Sequence, residues 1–177
     1  MTRYAAFLRG VNLGKRTVKS AELKAAFEEL GYGGVKTLLA SGNVLFDADG
    51  VEEKLRAAIE AGLKKQFGFE VGALLRTRDE LQAMIDADPF AGVDPNADVN
   101  FHVLMLTKPL SPAPRLESIA GDYDVARIDP RDVYFVVHKK PDGTYTGHSA
   151  LGQVDKLFPK GTLITMRNWN TILKAAA

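Results

Sequence analysis

The sequence contains no cysteine, and this absence narrows the chemistry available to the protein. Without thiols the chain can form no disulfide, no cysteine nucleophile, and no zinc or iron–sulfur site of the cysteine type. No stretch reaches the roughly 20 apolar residues needed to span a bilayer. The apolar part of the N-terminal segment is too short for a secretory signal. We therefore expect a cytoplasmic protein with no membrane partner.

Metal-ligand patterns are also lacking. The three histidines, His102, His138 and His148, show no metal-ligand spacing, and each is better explained as a strand or loop residue. No pair of carboxylates can be identified for acid–base work from spacing alone. We expect no metal site and no cofactor, and the sequence does not decide whether the protein is an enzyme.

The chain has little net charge, because 23 basic residues oppose 22 acidic ones over 177 residues, for a net charge of +1. The overall charge therefore gives no argument for nucleic acid as a partner. The distribution is less even: the first 24 residues hold six basic side chains and one acid, and no acid follows Asp155. The two basic ends form either one patch or two solvated faces, and both interpretations stay open.

Hydrophobic periodicity and turn residues predict a β-α-β-β-α-β order for the first half of the chain. Its helices run from an N-cap at Ser20 to Gly31 and over Val51–Phe67. A further helix begins at Thr77, where Glu80 completes a T-x-x-E capping box, and continues to about Ala87. The predicted strands are Tyr4–Leu8, Val35–Leu39, Val44–Phe46 and Val71–Leu75.

The second half repeats this order of elements. Helices are predicted at Pro112–Ala120 and Ser149–Phe158, and Asn168 or Asn170 caps a final helix. The predicted strands are Phe101–Leu106, Asp124–Ile128, Val133–His138 and Leu163–Met166. The fold class predicted is α+β: two ferredoxin-like βαββαβ halves, each followed by an extra helix, packed as one compact unit. The halves are residues 1–90 and 100–177, joined by a linker at 91–99 that is rich in Pro, Asp and Gly.

A basic loop follows the first predicted strand and is the first candidate site. It reads Arg9-Gly10-Val11-Asn12-Leu13-Gly14-Lys15-Arg16, and backbone N–H groups with basic side chains can hold an anion at such a position. The loop is not a P-loop, because three residues rather than four separate its glycines and Arg16 stands where Ser or Thr binds magnesium. It is either an anion-binding loop or a structural loop with exposed charges.

The second candidate site is Arg167-Asn168-Trp169-Asn170, which follows the last predicted strand. The only Trp of the chain lies between two Asn residues and beside an Arg, a combination suited to stacking on a planar ring and bonding its edges. The alternative is that Asn caps the helix while Trp fills the core. A third segment, Ser41-Gly42-Asn43, is typical of a hairpin turn; in a binding role its backbone N–H groups and Asn43 would line a site.

Three segments together resemble the signature of the bacterial DUF1697 family of uncharacterised proteins. They are Leu8–Gly14, Ala40–Val44 and Thr165–Thr171, and they fall in the family's order over nearly the whole chain. The resemblance implies a bacterial, compact α+β protein and no particular activity. The family usually has Gly where Lys15 stands and Lys where Ala150 stands, which counts against a phosphate site at the second of these positions.

The resemblance also implies which residues correspond to the family motifs: Arg9, Asn12, Ser41, Asn43, Arg167, Asn168, Trp169 and Asn170. Our leading hypothesis is a binding protein for an anionic small molecule or single-stranded nucleic acid. The ligand is expected between Arg9, Asn12 and Lys15 on one side and Arg167, Asn168 and Trp169 on the other. A cofactor-free enzyme using the same residues and a protein–protein interaction module remain as alternatives. The sequence gives no oligomeric state.

Overall fold

The computed structural model describes residues 1–38, 42–94, 96–109, 111–112, 115–145, 156–158 and 161–177. The chain divides into two compact units. The first contains Met1–Ala83 together with Leu173–Ala177, and the second contains Met84–Ile172. The linker predicted at 91–99 lies within the second unit. No helix in these ranges is long and apolar enough to cross a membrane.

The first unit is built on a four-stranded antiparallel sheet with the strand order β2-β3-β1-β4. The elements are β1 (Thr2–Arg9), α1 (Ser20–Glu29), β2 (Gly33–Thr37), β3 (Asn43–Ala48), α2 (Glu52–Phe67), β4 (Gly72–Thr77) and α3 (Arg78–Asp86). Leu55, Ile59 and Leu63, spaced by four along α2, are all buried, so this helix faces the sheet with one apolar stripe.

The second unit repeats the sheet, with the strand order β6-β7-β5-β8. The elements of this half of the chain are β5 (Val99–Leu106), β6 (Tyr123–Ile128), β7 (Asp132–His138), β8 (Ile164–Asn168) and α4 (Trp169–Ala176). The residues of α4 from Leu173 onward belong to the first unit. Each strand thus takes the position of the strand four places earlier in the chain, and both orders match the ferredoxin-like arrangement. With four helices in the described ranges, the predicted α+β class with two ferredoxin-like halves is confirmed.

The helix predicted at Pro112–Ala120 is wrong for the part of it that the structure describes. The backbone there is not helical: Ile119 forms an isolated antiparallel bridge with Tyr123, and the Ser118 hydroxyl accepts the N–H of Val125 at 2.9 Å. The segment thus satisfies backbone groups at the edge of β6.

Two other predicted helices differ from the structure at their start or lie largely outside the described residues. Ser20 is not the N-cap of α1 but its first residue; Lys19 is the N-cap, and its N–H donates to the Glu22 carboxylate at 2.7 Å. Most of the helix predicted at Ser149–Phe158 lies outside the described residues.

Candidate functional site

The loop between β1 and α1, residues 9–19, is called the basic loop below. Val11 and Val18 anchor it, with only 4% and 6% of their surface exposed, and both belong to the hydrophobic core of the first unit. The side-chain oxygen Oδ1 of Asn12 accepts the backbone N–H of Val18 at 3.0 Å, which closes the loop on itself. Asn12 therefore fixes the loop shape, and Leu13–Thr17 forms the projecting tip.

The entry to the basic loop requires glycine. Gly10 has a φ of +89°, in the left-handed region that favours glycine, and a Cβ there would lie 3.4 Å from the backbone oxygen of Glu70. At the tip, the N–H of Arg16 donates to the carbonyl of Leu13 at 3.0 Å. The backbone of the loop is thus held at its entry, across its base and at its tip.

The side chains of the basic loop present positive charge to solvent. Arg9, Lys15, Arg16 and Lys19 are all exposed, and no acidic residue occurs from position 9 to position 21. The Arg16 guanidinium carbon lies 4.5 Å from the centroid of the Phe69 ring, a cation–π contact that orients it. Arg16 and Lys19 were not among the site residues expected from the sequence, and no local pattern pointed to Phe69, which is remote in sequence.

The hairpin segment Ser41-Gly42-Asn43 differs from the basic loop in how its residues are placed. Ser41 lies outside the described residues. Asn43 is the first residue of β3, is only 1% exposed and pairs with Phe7 of β1. Its carbonyl accepts the N–H of Leu38 at 3.0 Å, as expected for a residue that closes a hairpin. This geometry favours the turn interpretation, while a binding role for Ser41 and Asn43 stays a prediction.

Arg167 belongs to the second unit, and Arg9 to the first. Nη1 of Arg167 donates to the Thr165 hydroxyl at 2.5 Å and to the carbonyl of Met166 at 3.0 Å. Burial lowers the pKa of the Arg167 guanidinium to about 10, well below its ordinary value, because desolvation disfavours the charged form. Arg167 is therefore a cation held against its own strand in a poorly solvated place.

The residues after Arg167 have clear structural roles. Asn168 precedes α4, and its Oδ1 accepts the N–H of Asn170 at 2.9 Å, so it caps the helix as predicted. Trp169 is half-buried and meets the rings of Phe90 and Tyr134 edge-on, with centroids 5.3 and 5.8 Å apart. These contacts favour capping and packing, and a binding role for Asn168, Trp169 and Asn170 stays a prediction.

Metal chemistry finds no support in the residues that the structure covers. Among them, no group of three or more His, Asp or Glu side chains is placed to hold a metal ion. The basic loop offers a different kind of chemistry, because it holds four exposed cations with no acid between positions 9 and 21. Backbone N–H groups and basic side chains of such loops can bind anions.

These observations define an α+β protein with two ferredoxin-like halves and a cationic loop after its first strand. The chain belongs to the DUF1697 family, described as proteins of unknown function, whose model matches residues 1–134. That range includes the first two motif segments and ends before the third. No curated protein matches the chain.

One solved structure is similar over nearly the full length of both chains: the conserved bacterial protein SP0830 from Streptococcus pneumoniae. The two chains share 22% sequence identity, with a TM-score of 0.68, and the alignment covers 99% of this chain and 97% of the other. At this identity the likeness supports the fold and nothing about the ligand.

Proposed function

We propose that the basic loop binds the phosphate groups of an anionic ligand. The observation that carries this proposal is a rigidly anchored loop with four exposed cations and no acid between positions 9 and 21. A merely solvated basic surface has no need of a fixed shape. This loop is fixed by two buried valines and by the Asn12–Val18 hydrogen bond. Preorganised cations bind phosphate without first losing conformational freedom.

Among phosphate-bearing ligands, single-stranded nucleic acid fits this loop best. Lys15, Arg16 and Lys19 offer three exposed cations, and successive phosphates of a strand can pair with them one by one. Leu13 adds an apolar group at the tip, because 61% of its surface is exposed. A base can lie against Leu13 while the cations pair with its flanking phosphates. Small phosphorylated molecules are the alternative that the experiment separates.

The test is fluorescence anisotropy with a labelled single-stranded oligothymidylate. The double variant Lys15→Ala with Arg16→Ala should bind at least about tenfold more weakly than wild type, and the slope of affinity against salt should fall by about 2. The matched control is Lys36→Ala with Lys54→Ala, which removes the same charge from exposed positions on β2 and α2. Its affinity should stay within about twofold of wild type.

Each result decides the proposal. If the control weakens binding as much as the loop variant, the interaction is with net charge and the loop is not a site. If inorganic phosphate or a nucleotide competes with the oligonucleotide at an equal concentration of phosphate groups, the ligand is a small anion. If wild type binds none of these ligands, the proposed function is wrong. Thermal unfolding of every variant checks that the loop remains folded.

A further inference from the structure

A cleft of 550 Å³ opens in the second unit and is lined by β6, β7 and residues from 89–93 and 97–98. This volume lies within the range of about 300–1,000 Å³ typical of small-molecule sites. The lining residues fall into three groups. The floor of the cleft comes from strands, its wall from residues 89–93 and 97–98, and its polar end from Asp98, Asp124, His138 and Lys139.

The wall of the cleft has a defined shape. Its backbone folds through successive turns, in which Ala91 donates to Asp88 at 3.1 Å and Val93 donates to Phe90 at 3.2 Å. Phe90 fastens the wall to the sheet, because its ring stacks on Phe101 with centroids 4.4 Å apart. The cleft is therefore a persistent feature of the unit, since its wall is held by aromatic packing and hydrogen bonds.

The far end of the wall is tied to β7. The carbonyl of Asp98 accepts the N–H of Lys139 at 3.0 Å, which holds Asp98, a lining residue of the cleft, beside the end of that strand. The floor is made of small or branched apolar residues, Val99, Ala126 and Val136. The cleft is consequently amphipathic, with an apolar floor at one end and ionisable groups at the other.

A histidine–carboxylate pair stands at the polar end. The Nε2 of His138 lies 2.6 Å from Oδ2 of Asp124, and 34% and 52% of the two side chains are exposed. An ionised carboxylate can only accept, so the imidazole donates its Nε2–H. In the neutral imidazole this leaves Nδ1 as an acceptor. Together with the second Asp124 oxygen and Asp98, the polar end offers mainly hydrogen-bond acceptors.

The charge of this end decides the class of ligand. Two carboxylates, Asp98 and Asp124, line this end of the cleft together with the single ammonium of Lys139, so a cation is favoured over an anion. We propose that this cleft binds a small amphipathic amine. Its ammonium group pairs with Asp98 and Asp124 while its apolar body covers Ala126 and Val136. The proposal is independent of the basic loop, which lies in the other unit and prefers ligands of the opposite charge.

The test uses three probes of similar shape, 2-phenylethylamine, 3-phenylpropanoate and 2-phenylethanol. Binding of each probe is measured from the changes it causes in the amide chemical shifts of the isotope-labelled full chain. The amine should shift the amides of residues 91–93, 97–99 and 136–139, and it should bind at least about tenfold more tightly than the other two probes. Asp124→Asn and Asp98→Asn should each weaken the amine about tenfold. Asp129→Asn is the matched control, because Asp129 pairs with Arg127 outside the cleft.

A steric variant gives a second, independent measurement. Ala126 is exposed on an edge strand, so Ala126→Leu should fill the floor without strain and abolish the amine shifts. The proposal is overturned if no probe shifts these amides at about 10 mM. It is also overturned if the carboxylate or the alcohol binds as well as the amine, or if Ala126→Leu and Asp124→Asn both bind like wild type. None of these outcomes bears on the basic loop, so the two proposals fail separately.

Discussion

At the scale of single residues, Arg167 is the most unusual ionisable group in the described chain. Its guanidinium makes two hydrogen bonds to its own strand, yet burial lowers its pKa to about 10. Folding must therefore desolvate a cation at neutral pH, and that cost opposes stability. The cost is present below the folded pKa of about 10 and is relieved as the pH rises above it. Only the unfolded chain, in which the arginine has its ordinary and higher pKa, then keeps the proton.

This linkage gives a direct prediction for Arg167→Met. The free energy of unfolding of wild type, measured relative to the variant by chemical denaturation, should rise by about 1 kcal/mol between about pH 9 and about pH 11. Subtracting the variant removes the titration of lysines and tyrosines common to both proteins. A difference that stays flat, or falls, over this range would show that the guanidinium is well solvated.

The candidate residues show what local sequence can and cannot indicate. Asn12 and Asn168 were predicted to bind a ligand, and Gly10 belongs to the loop predicted to hold an anion. In the structure each has a backbone role, which is closing a loop, capping a helix or adopting a positive φ. Asn and Gly mark such positions in any protein, so their type alone cannot separate site from scaffold. The His138–Asp124 pair was missed because it depends on how β6 and β7 lie side by side.

At the scale of elements, helix starts offer a matched comparison. Thr77 and Glu80 form the predicted capping box, in which the Glu80 N–H donates to the Thr77 hydroxyl at 3.1 Å and the Thr77 N–H to the Glu80 carboxylate at 2.7 Å. Ser20 has no such role, because α1 is capped one residue earlier. Thr77 and Ser20 are both hydroxyl residues at predicted helix starts, but only Thr77 caps its helix.

We predict that Thr77→Ala lowers the free energy of unfolding by about 1 kcal/mol, because the Glu80 N–H loses its partner at the start of α3. Ser20→Ala should change it by less than about 0.5 kcal/mol, since alanine is well tolerated in the first turn. Urea denaturation of both variants provides the measurement. Equal losses at the two positions would contradict the assignment of Lys19 as the N-cap of α1.

Elements with a strong hydrophobic periodicity could be predicted from the sequence, whereas elements whose conformation depends on tertiary contacts could not. The apolar stripe of α2 and the run of β1 each indicated the right element to within one or two residues. The segment 115–120 belongs to the short helix that was expected at Pro112–Ala120, ended by Gly121. It instead bonds along β6, a choice that depends on an edge strand with unsatisfied backbone groups. The local sequence pattern does not show that these backbone groups need hydrogen-bond partners.

At the scale of the whole molecule, the chain returns to its first unit at its end. Leu173–Ala177 belongs to the unit formed by residues 1–83, and Ala175 and Ala176 are only 2% and 3% exposed. The sequence predicted two successive halves, because periodicity reports elements and not their partners. One hydrogen bond within the first unit joins the two stretches: Nε of Arg78 donates to the carbonyl of Ala176 at 2.9 Å.

This contact yields a prediction about local stability. Arg78→Ala should lower the free energy of opening of β1 and β4 amides by about 1 kcal/mol, the value of one hydrogen bond, and leave β5 and β7 unchanged. Native-state hydrogen exchange measures both sets in one experiment. Lys174→Ala is the control, since Lys174 is exposed on the same helix as Ala176. An equal fall in both sets would mean that the two units open as one cooperative body, and no fall in either would mean that the contact adds nothing to the first unit.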